Sequence, residues 1–188
     1  MKEFPSLEFI TWQQFHHLCF VLSKQLELEP SFDTIVSISR GGHVISRILS
    51  DFLKLNVLNV TIQSYKDINK RQETKITQKI GLSLKNKHIL LIDEIVDTGL
   101  TLKKALNYLK RLGPSRVTST ALHVKPRTTI YPDFYATTTE KWVVYPYEVR
   151  ETIESIRLIL TSTKTNKSDF KKLLLNNGFP QEMIKHYL

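Results

Sequence analysis

One cysteine, Cys19, stands in the whole chain of 188 residues. A single thiol excludes an intrachain disulfide and any metal site built from several cysteines. Cys19 lies in an apolar stretch and reads as a small buried side chain. No apolar run reaches the roughly 20 residues that a bilayer-crossing helix needs. The segment Met1 to Phe9 lacks the basic-then-apolar pattern of a secretory leader. A cytoplasmic location and no membrane partner are therefore expected. Internal repeats and low-complexity tracts are missing too. The basic residues are not gathered into one arm, which weighs against a nucleic-acid-binding tail.

What is present is a positive balance. Lys and Arg total 27 against 18 Asp and Glu, a formal charge of +9. Such an excess suits either nucleic acid or an anionic small substrate. Its even spread favours the small substrate. Hydrophobic residues at 41% and charged residues at 24% fit one compact soluble domain.

The patterning predicts alternating strands and helices. Thr11 to about Leu28 reads as a helix. Thr11 and Gln14 have capping-box spacing, and Trp12, Phe15, Cys19, Leu22 and Leu26 form one apolar stripe. Thr34 to Ile38 is a short β-branched strand, followed by a Gly41-Gly42 turn and a helix to about Leu55. Val57 to Ile62 is a second strand. Ser64 to Lys79 is polar and weakly patterned, so it reads as a long loop or a loose hairpin. His88 to Ile92 is a third strand, apolar after its first residue, as a buried parallel strand should be. A helix over Thr101 to Leu112 stops at Gly113-Pro114. Arg116 to His123 is a fourth strand, with shorter ones at Phe134 to Thr137 and Trp142 to Val144, then a helix over Glu148 to Leu160. This order argues for an α/β fold, a mostly parallel sheet with helices on both faces. In such sheets ligands bind beyond the carboxyl ends of the strands. Thr161 to Ser168 reads as a linker. Asp169 to Leu188 reads as two short helices, too small to fold alone.

The chemistry concentrates in His88-Ile-Leu-Leu-Ile-Asp-Glu-Ile-Val-Asp-Thr-Gly-Leu-Thr101. An apolar strand runs into two adjacent acids, Asp93 and Glu94, and a third, Asp97, follows. A Thr-Gly-x-Thr turn then opens a helix. Unpaired N–H groups at a helix start, the positive end of its dipole and the hydroxyls of Thr98 and Thr101 make a phosphate cradle. Gly99 permits close backbone approach. Carboxylates beside such a cradle would repel the ligand unless a cation or sugar hydroxyls lie between them. Adjacent carboxylates can accept from a ribose diol and hold Mg²⁺. An acidic first turn of an ordinary helix is the bland alternative.

This stretch closely resembles the phosphoribosyl-pyrophosphate signature of type I phosphoribosyltransferases: an apolar run, two acids, two apolar residues, then Asp-Thr-Gly-x-Thr. It covers Asp93, Glu94, Ile95, Val96, Asp97, Thr98, Gly99, Leu100 and Thr101. The resemblance implies the type I fold, with a small hood region and a helical C-terminal tail. It divides the chain into a catalytic domain over 1–160, with its core at about 34–124 and a base-binding segment at about 125–148, and an extension over 161–188. It also implies a Mg²⁺-dependent transfer of the phosphoribosyl group to a base, with release of pyrophosphate.

By the same resemblance, Ser39, Arg40 and Gly41 look like the pyrophosphate loop, which in the family often holds a cis non-proline peptide. Ser64, Tyr65, Lys66, Lys70 and Arg71 look like the flexible catalytic loop, with Arg71 reaching the sugar diphosphate. The segment order is most similar to 6-oxopurine enzymes of the xanthine–guanine and hypoxanthine–guanine kind. There Lys125 is implied to donate to O6 of the base, and an ammonium, having donors only, suits a carbonyl. Trp142 and Val143 look like the pair that holds the purine. Asp97 is implied as the catalytic group at N7. Asp93 and Glu94 are implied to hold the ribose hydroxyls, with Glu94 also near Mg²⁺. The partners implied are phosphoribosyl pyrophosphate, guanine, hypoxanthine or xanthine, the nucleoside monophosphate product, and further copies of the chain as a dimer or tetramer. Two alternatives stand beside this reading. One is a regulator of the same fold that senses a nucleotide and binds nucleic acid, which would not need Asp97 or Lys125. The other is a phosphoribosyltransferase for adenine or a pyrimidine.

Overall fold

The computed structural model describes residues 5–65, 73–160 and 166–188. The chain opens with a three-residue strand, β1 (Leu7–Phe9), and a helix, α1 (Trp12–Leu26). The capping box forms as the spacing predicts. The Gln14 N–H donates to Thr11 Oγ1 at 3.2 Å, and the Thr11 N–H donates back to Gln14 Oε1 at 2.9 Å. Phe15, Cys19, Leu22 and Leu26 are buried, but Trp12 is 56% exposed. It is the first helical residue, so its ring lies over the helix entrance, edge-on to Phe15.

Residues 16–140 form the larger of two compact units. It contains β2 (Thr34–Ser39), α2 (Gly42–Leu53), β3 (Val57–Tyr65), β4 (Glu73–Gln78), β5 (His88–Val96), α3 (Leu100–Lys110), β6 (Arg116–Val124) and β7 (Phe134–Thr138). The sheet order is β4-β3-β2-β5-β6-β7, and every pairing is parallel except β3 with β4. β2 is wholly buried, as is the first part of β5, which explains their near-continuous apolar sequences. Alternate strand residues serve opposite faces. Val36, Ile38, Val60, Ile62, Ile89 and Leu91 share one core cluster with Leu102, Ala105 and Leu109 of α3. Their neighbours Ile35, Leu90 and Ile92 are equally buried and must point the other way.

From β2 the chain crosses through α2 to β3 on one side, and from β5 it crosses through α3 to β6 on the other. Right-handed crossovers in opposite directions place the two helices on opposite faces. The direction of winding therefore reverses between β2 and β5. A crevice opens beyond the carboxyl ends of strands at such a reversal.

One open reading resolves and two elements differ from the patterning. Of the loop and the hairpin that the stretch after Ile62 allowed, the described residues form the hairpin: β3 continues to Tyr65 and β4 pairs antiparallel with it across an irregularity at Thr61 and Ile62. Ile76 is the apolar residue of β4 that packs on the core, too little to register as a strand in sequence. The acids do not follow the third strand but lie inside it. Asp93, Ile95 and Val96 stay in ladder with Ala121, His123 and Val124 of β6, so neighbouring backbone overrides the break the acids suggest. The second is β1, too short to carry a pattern.

The smaller unit joins the N-terminal residues to residues 141–188. There β8 (Trp142–Val144) pairs in parallel with β1. Helices α4 (Val149–Leu160), α5 (Lys167–Asn176) and α6 (Gln181–Tyr187) follow. Val144, Ile153, Ile156, Phe170, Leu174, Phe179 and Ile184 make one apolar cluster, so the C-terminal helices bury their stripes against α4 and β8. Asn166 caps α5, its side chain accepting from the Asp169 N–H at 2.9 Å. No described helix is long and apolar enough to cross a membrane.

Candidate active site

The carboxyl ends of β2 and β5 bring Ser39, Arg40 and Gly41 beside Asp93 and Glu94. The Ser39–Arg40 peptide is cis. Gly41 has an ordinary right-handed backbone, so conformational freedom does not explain it. Space does: a Cβ there would overlap the Glu94 carboxylate. On Gly42 a Cβ would lie 2.7 Å from the Ile92 carbonyl oxygen. The two glycines let the start of α2 press against β5, and the Glu94 carboxylate lies over that turn. Asp93 is buried, and its Oδ1 accepts the Glu94 N–H at 2.9 Å. The hydroxyls of Ser37, Ser39 and Ser46, all buried, have no hydrogen-bond partner among the described residues.

Beyond Val96 the chain turns through Asp97, Thr98 and Gly99 into α3. Gly99, left-handed at φ 83°, is the N-cap and offers no capping side chain. The Leu100 N–H meets Thr98 Oγ1 at 3.5 Å. The positive end of the helix dipole there suits an anion. Asp93, Asp97, Thr98, Gly99 and Thr101 border a cavity of about 90 Å³. At ~30 Å³ per water it holds about three waters, room for one tetrahedral anion.

Next along the sheet, β6 ends at Val124 beside Val96 of β5. Lys125 follows directly. Its N–H donates to the Val96 carbonyl at 2.9 Å, and the residue is 7% exposed. Lys125, Pro126, Arg127 and Glu140 line a second cavity of about 270 Å³, near the size of a small planar ligand's pocket. Asp97 is engaged by a residue the sequence did not single out. Arg127 Nε donates to Asp97 Oδ1 at 2.6 Å, and Nη2 donates to Oδ2 at 2.7 Å. The hydrogen bonds and the negative charge of Asp97 push the guanidinium pKa up from its already high ordinary value.

The chain matches the phosphoribosyl transferase domain family over residues 11–152. It belongs to that family. Among the relatives of this phosphoribosyltransferase domain is a xanthine-guanine phosphoribosyltransferase of Idiomarina loihiensis, 24% identical over 144 residues, 75% of this chain and 86% of that one. A hypoxanthine-guanine phosphoribosyltransferase of Saccharomyces cerevisiae is 27% identical over 124 residues, and that match spans about half of either protein, 55% of each. Among solved structures, a purine phosphoribosyltransferase from Pyrococcus horikoshii is 31% identical with a TM-score of 0.69, covering 76% of this chain and 93% of that one. The family match stops before α5 and α6.

Within this phosphoribosyltransferase domain the expected residues therefore fall into three groups. Ser39, Arg40, Gly41, Asp93 to Thr101 and Lys125 gather at the carboxyl edge of the larger unit. Trp142 and Val143 lie on β8 in the smaller unit, with Val143 buried and the Trp142 N–H donating to the Ser6 carbonyl at 2.8 Å. Ser64 and Tyr65 end β3, paired with Thr74 and Glu73, while Lys66, Lys70 and Arg71 lie outside the described residues. Arg127 was readable in principle: it stands two residues past Lys125, beyond a strand neighbouring the one that carries Asp97. What the sequence withheld was the pairing of those two strands.

Proposed function

We propose that the protein transfers the 5-phosphoribosyl group from phosphoribosyl pyrophosphate to N9 of a 6-oxopurine, releasing pyrophosphate and a nucleoside monophosphate. The observation that carries this reading is the placement of Lys125 and Asp97. They follow directly on residues paired across adjacent strands, Val124 and Val96. Strands lie about 4.8 Å apart, so a cation and a carboxylate meet the ligand side by side. A 6-oxopurine presents O6 and N7 side by side on one edge. The Lys125 ammonium donates to O6 and cannot accept from the amino group of adenine. Asp97 accepts the N7 proton and draws it from the ring as N9 attacks. Relatives that are xanthine-guanine and hypoxanthine-guanine phosphoribosyltransferases support an oxopurine.

The remaining residues divide the sugar diphosphate between them. The backbone N–H groups of the Thr98–Thr101 turn and the Thr98 and Thr101 hydroxyls take the 5′-phosphate. The Asp93 and Glu94 carboxylates accept from the ribose hydroxyls, which orients C1 toward the base. Arg40 and the Gly41 turn receive pyrophosphate as it leaves. As C1 loses pyrophosphate, positive charge builds on the ribose, and the buried Asp93 carboxylate stabilises it. The oxygen donors of Asp93 and Glu94 fit Mg²⁺, which takes one or two carboxylates plus substrate oxygens. A bound Mg²⁺ supplies charge neutralisation on pyrophosphate.

The test is pyrophosphate release with phosphoribosyl pyrophosphate, Mg²⁺ and each of guanine, hypoxanthine, xanthine and adenine, beside Asp97→Asn. Turnover with an oxopurine that collapses in the variant supports the reading. Turnover with adenine alone overturns the role of Lys125, and silence with all four bases overturns the activity.

A further inference from the structure

Asp97 is not left to orient itself. Arg127 takes both of its oxygens in a side-on fork, through Nε at 2.6 Å and Nη2 at 2.7 Å. The fork is aimed by the backbone. The Thr128 N–H donates to the Lys125 carbonyl at 3.0 Å, which closes a tight turn over Lys125-Pro126-Arg127-Thr128. Proline suits the second position of such a turn, and Arg127 then holds the third. The turn is tied down at both ends. The Lys125 N–H donates to Val96, and Thr129 Oγ1 donates to the Thr98 carbonyl at 3.2 Å. One four-residue turn thus delivers a buried ammonium at Lys125 and, two residues later, a guanidinium onto the neighbouring acid.

We propose that Arg127 is a positioning residue: it fixes the Asp97 carboxylate in one orientation for the proton at N7 of the base. This rests on the oxopurine reading above. A carboxylate offers about four lone-pair sites, and the fork uses one on each oxygen. A lone pair therefore remains for the base N–H without displacing Arg127. Stability alone does not account for the pair. The Arg127 and Asp97 side chains are 69% and 47% exposed, and ion pairs so open contribute little to folding. Orientation is a different matter. A freely rotating carboxylate must be ordered in every turnover, and a reacting group misplaced by about 1 Å can cost ~100-fold in rate.

The experiment is steady-state turnover of the full chain with its best oxopurine, comparing Arg127→Met and Arg127→Lys in the wild-type and Asp97→Asn backgrounds. In the wild-type background Arg127→Met should lower kcat by roughly 10- to 100-fold, with KM for phosphoribosyl pyrophosphate nearly unchanged. Arg127→Lys keeps the charge but loses the fork, and should recover only part of the rate. In the Asp97→Asn background neither change should lower kcat further, because Arg127 acts through that acid. Unaltered kcat in Arg127→Met overturns the proposal. So does an equal loss in both backgrounds, or a rise in KM for the sugar diphosphate with kcat kept, which would make Arg127 a phosphate ligand. If Arg127→Met does not fold, Arg127→Lys carries the same comparison alone. A wild type inactive with every oxopurine sinks the functional reading itself, and this role with it.

Discussion

Replacing Gly99 by alanine tests the link between the Thr98–Thr101 turn and the fold around it. Two costs add. Gly99 has φ 83° and ψ −4°, a left-handed conformation that an alanine enters at about 1–2 kcal/mol. The new methyl would also lie 2.9 Å from Thr128 Oγ1, 3.0 Å from Ile130 Cβ and 3.1 Å from the Ile130 backbone nitrogen. Those atoms cannot retreat freely. Thr128 Oγ1 donates to the Ile130 carbonyl at 3.0 Å and accepts the Ile130 N–H at 3.3 Å, so moving one disturbs both. Overpacking of this kind costs about 1–3 kcal/mol. The sum is about 2–5 kcal/mol, a large part of the ~5–15 kcal/mol that holds a typical domain folded. For a chain of this length the melting temperature should fall by roughly 4–20 °C. Urea unfolding followed by far-ultraviolet circular dichroism measures it, with an unchanged slope showing that stability alone has moved. Gly99→Asn separates the two causes, because asparagine tolerates the left-handed backbone but keeps the clash. A loss below about 0.5 kcal/mol for Gly99→Ala, the range of an ordinary surface change, would refute the reasoning.

Two further outcomes follow from burial. Lys125→Met removes the donor assigned to O6, and kcat/KM for oxopurines should fall about 10- to 100-fold, the worth of one hydrogen bond to a charged group. KM for phosphoribosyl pyrophosphate should hold, and the preference over adenine should shrink. Burial pushes the Cys19 thiol up from its ordinary 9.0 to about 12, so an aromatic disulfide reagent at pH 8 should find no reactive thiol until the protein unfolds. The sign for stability follows: the contribution is complete below pH 9, where the unfolded thiol is neutral, and is lost as pH rises toward 12.

The larger unit was legible because its strands are buried on both faces. β2 and the first half of β5 are apolar in nearly every position, and the helix between Leu100 and Lys110 carries a clear stripe. The signature from Asp93 to Thr101 was legible because each residue type is demanded locally by charge, hydroxyl or backbone freedom. What escaped depends on contacts far apart in sequence. β1 has three residues, too few to show a period, and exists because β8 lies beside it. β4 offers one core residue, Ile76, and owes its strand to pairing with β3. Gly41 read as part of a strand-to-helix turn, yet it is glycine because Glu94, 53 residues later, fills the space a side chain would need. Arg127 read as nothing, since 30 residues separate it from Asp97.

That last separation bears on how the site is built. The loops after β5 and β6 could have been independent, one holding phosphate and the other the base. Instead Lys125 is tied to Val96, Thr129 to Thr98 and Arg127 to Asp97, while Gly99 leaves room for Thr128 and Ile130. The two loops are therefore tied together at several points. A two-substrate transfer gains most when the reacting atoms are held at a fixed separation, because effective concentrations fall steeply with misalignment. Joining the loops after adjacent strands fixes that separation. It also predicts coupling: a change in the Thr128–Ile130 turn should weaken phosphate binding although it touches no phosphate, and a change at Gly99 should alter selection among bases although it touches none. Independent effects, with each loop's variants confined to one substrate's KM, would show that the stitches between the loops carry no functional load.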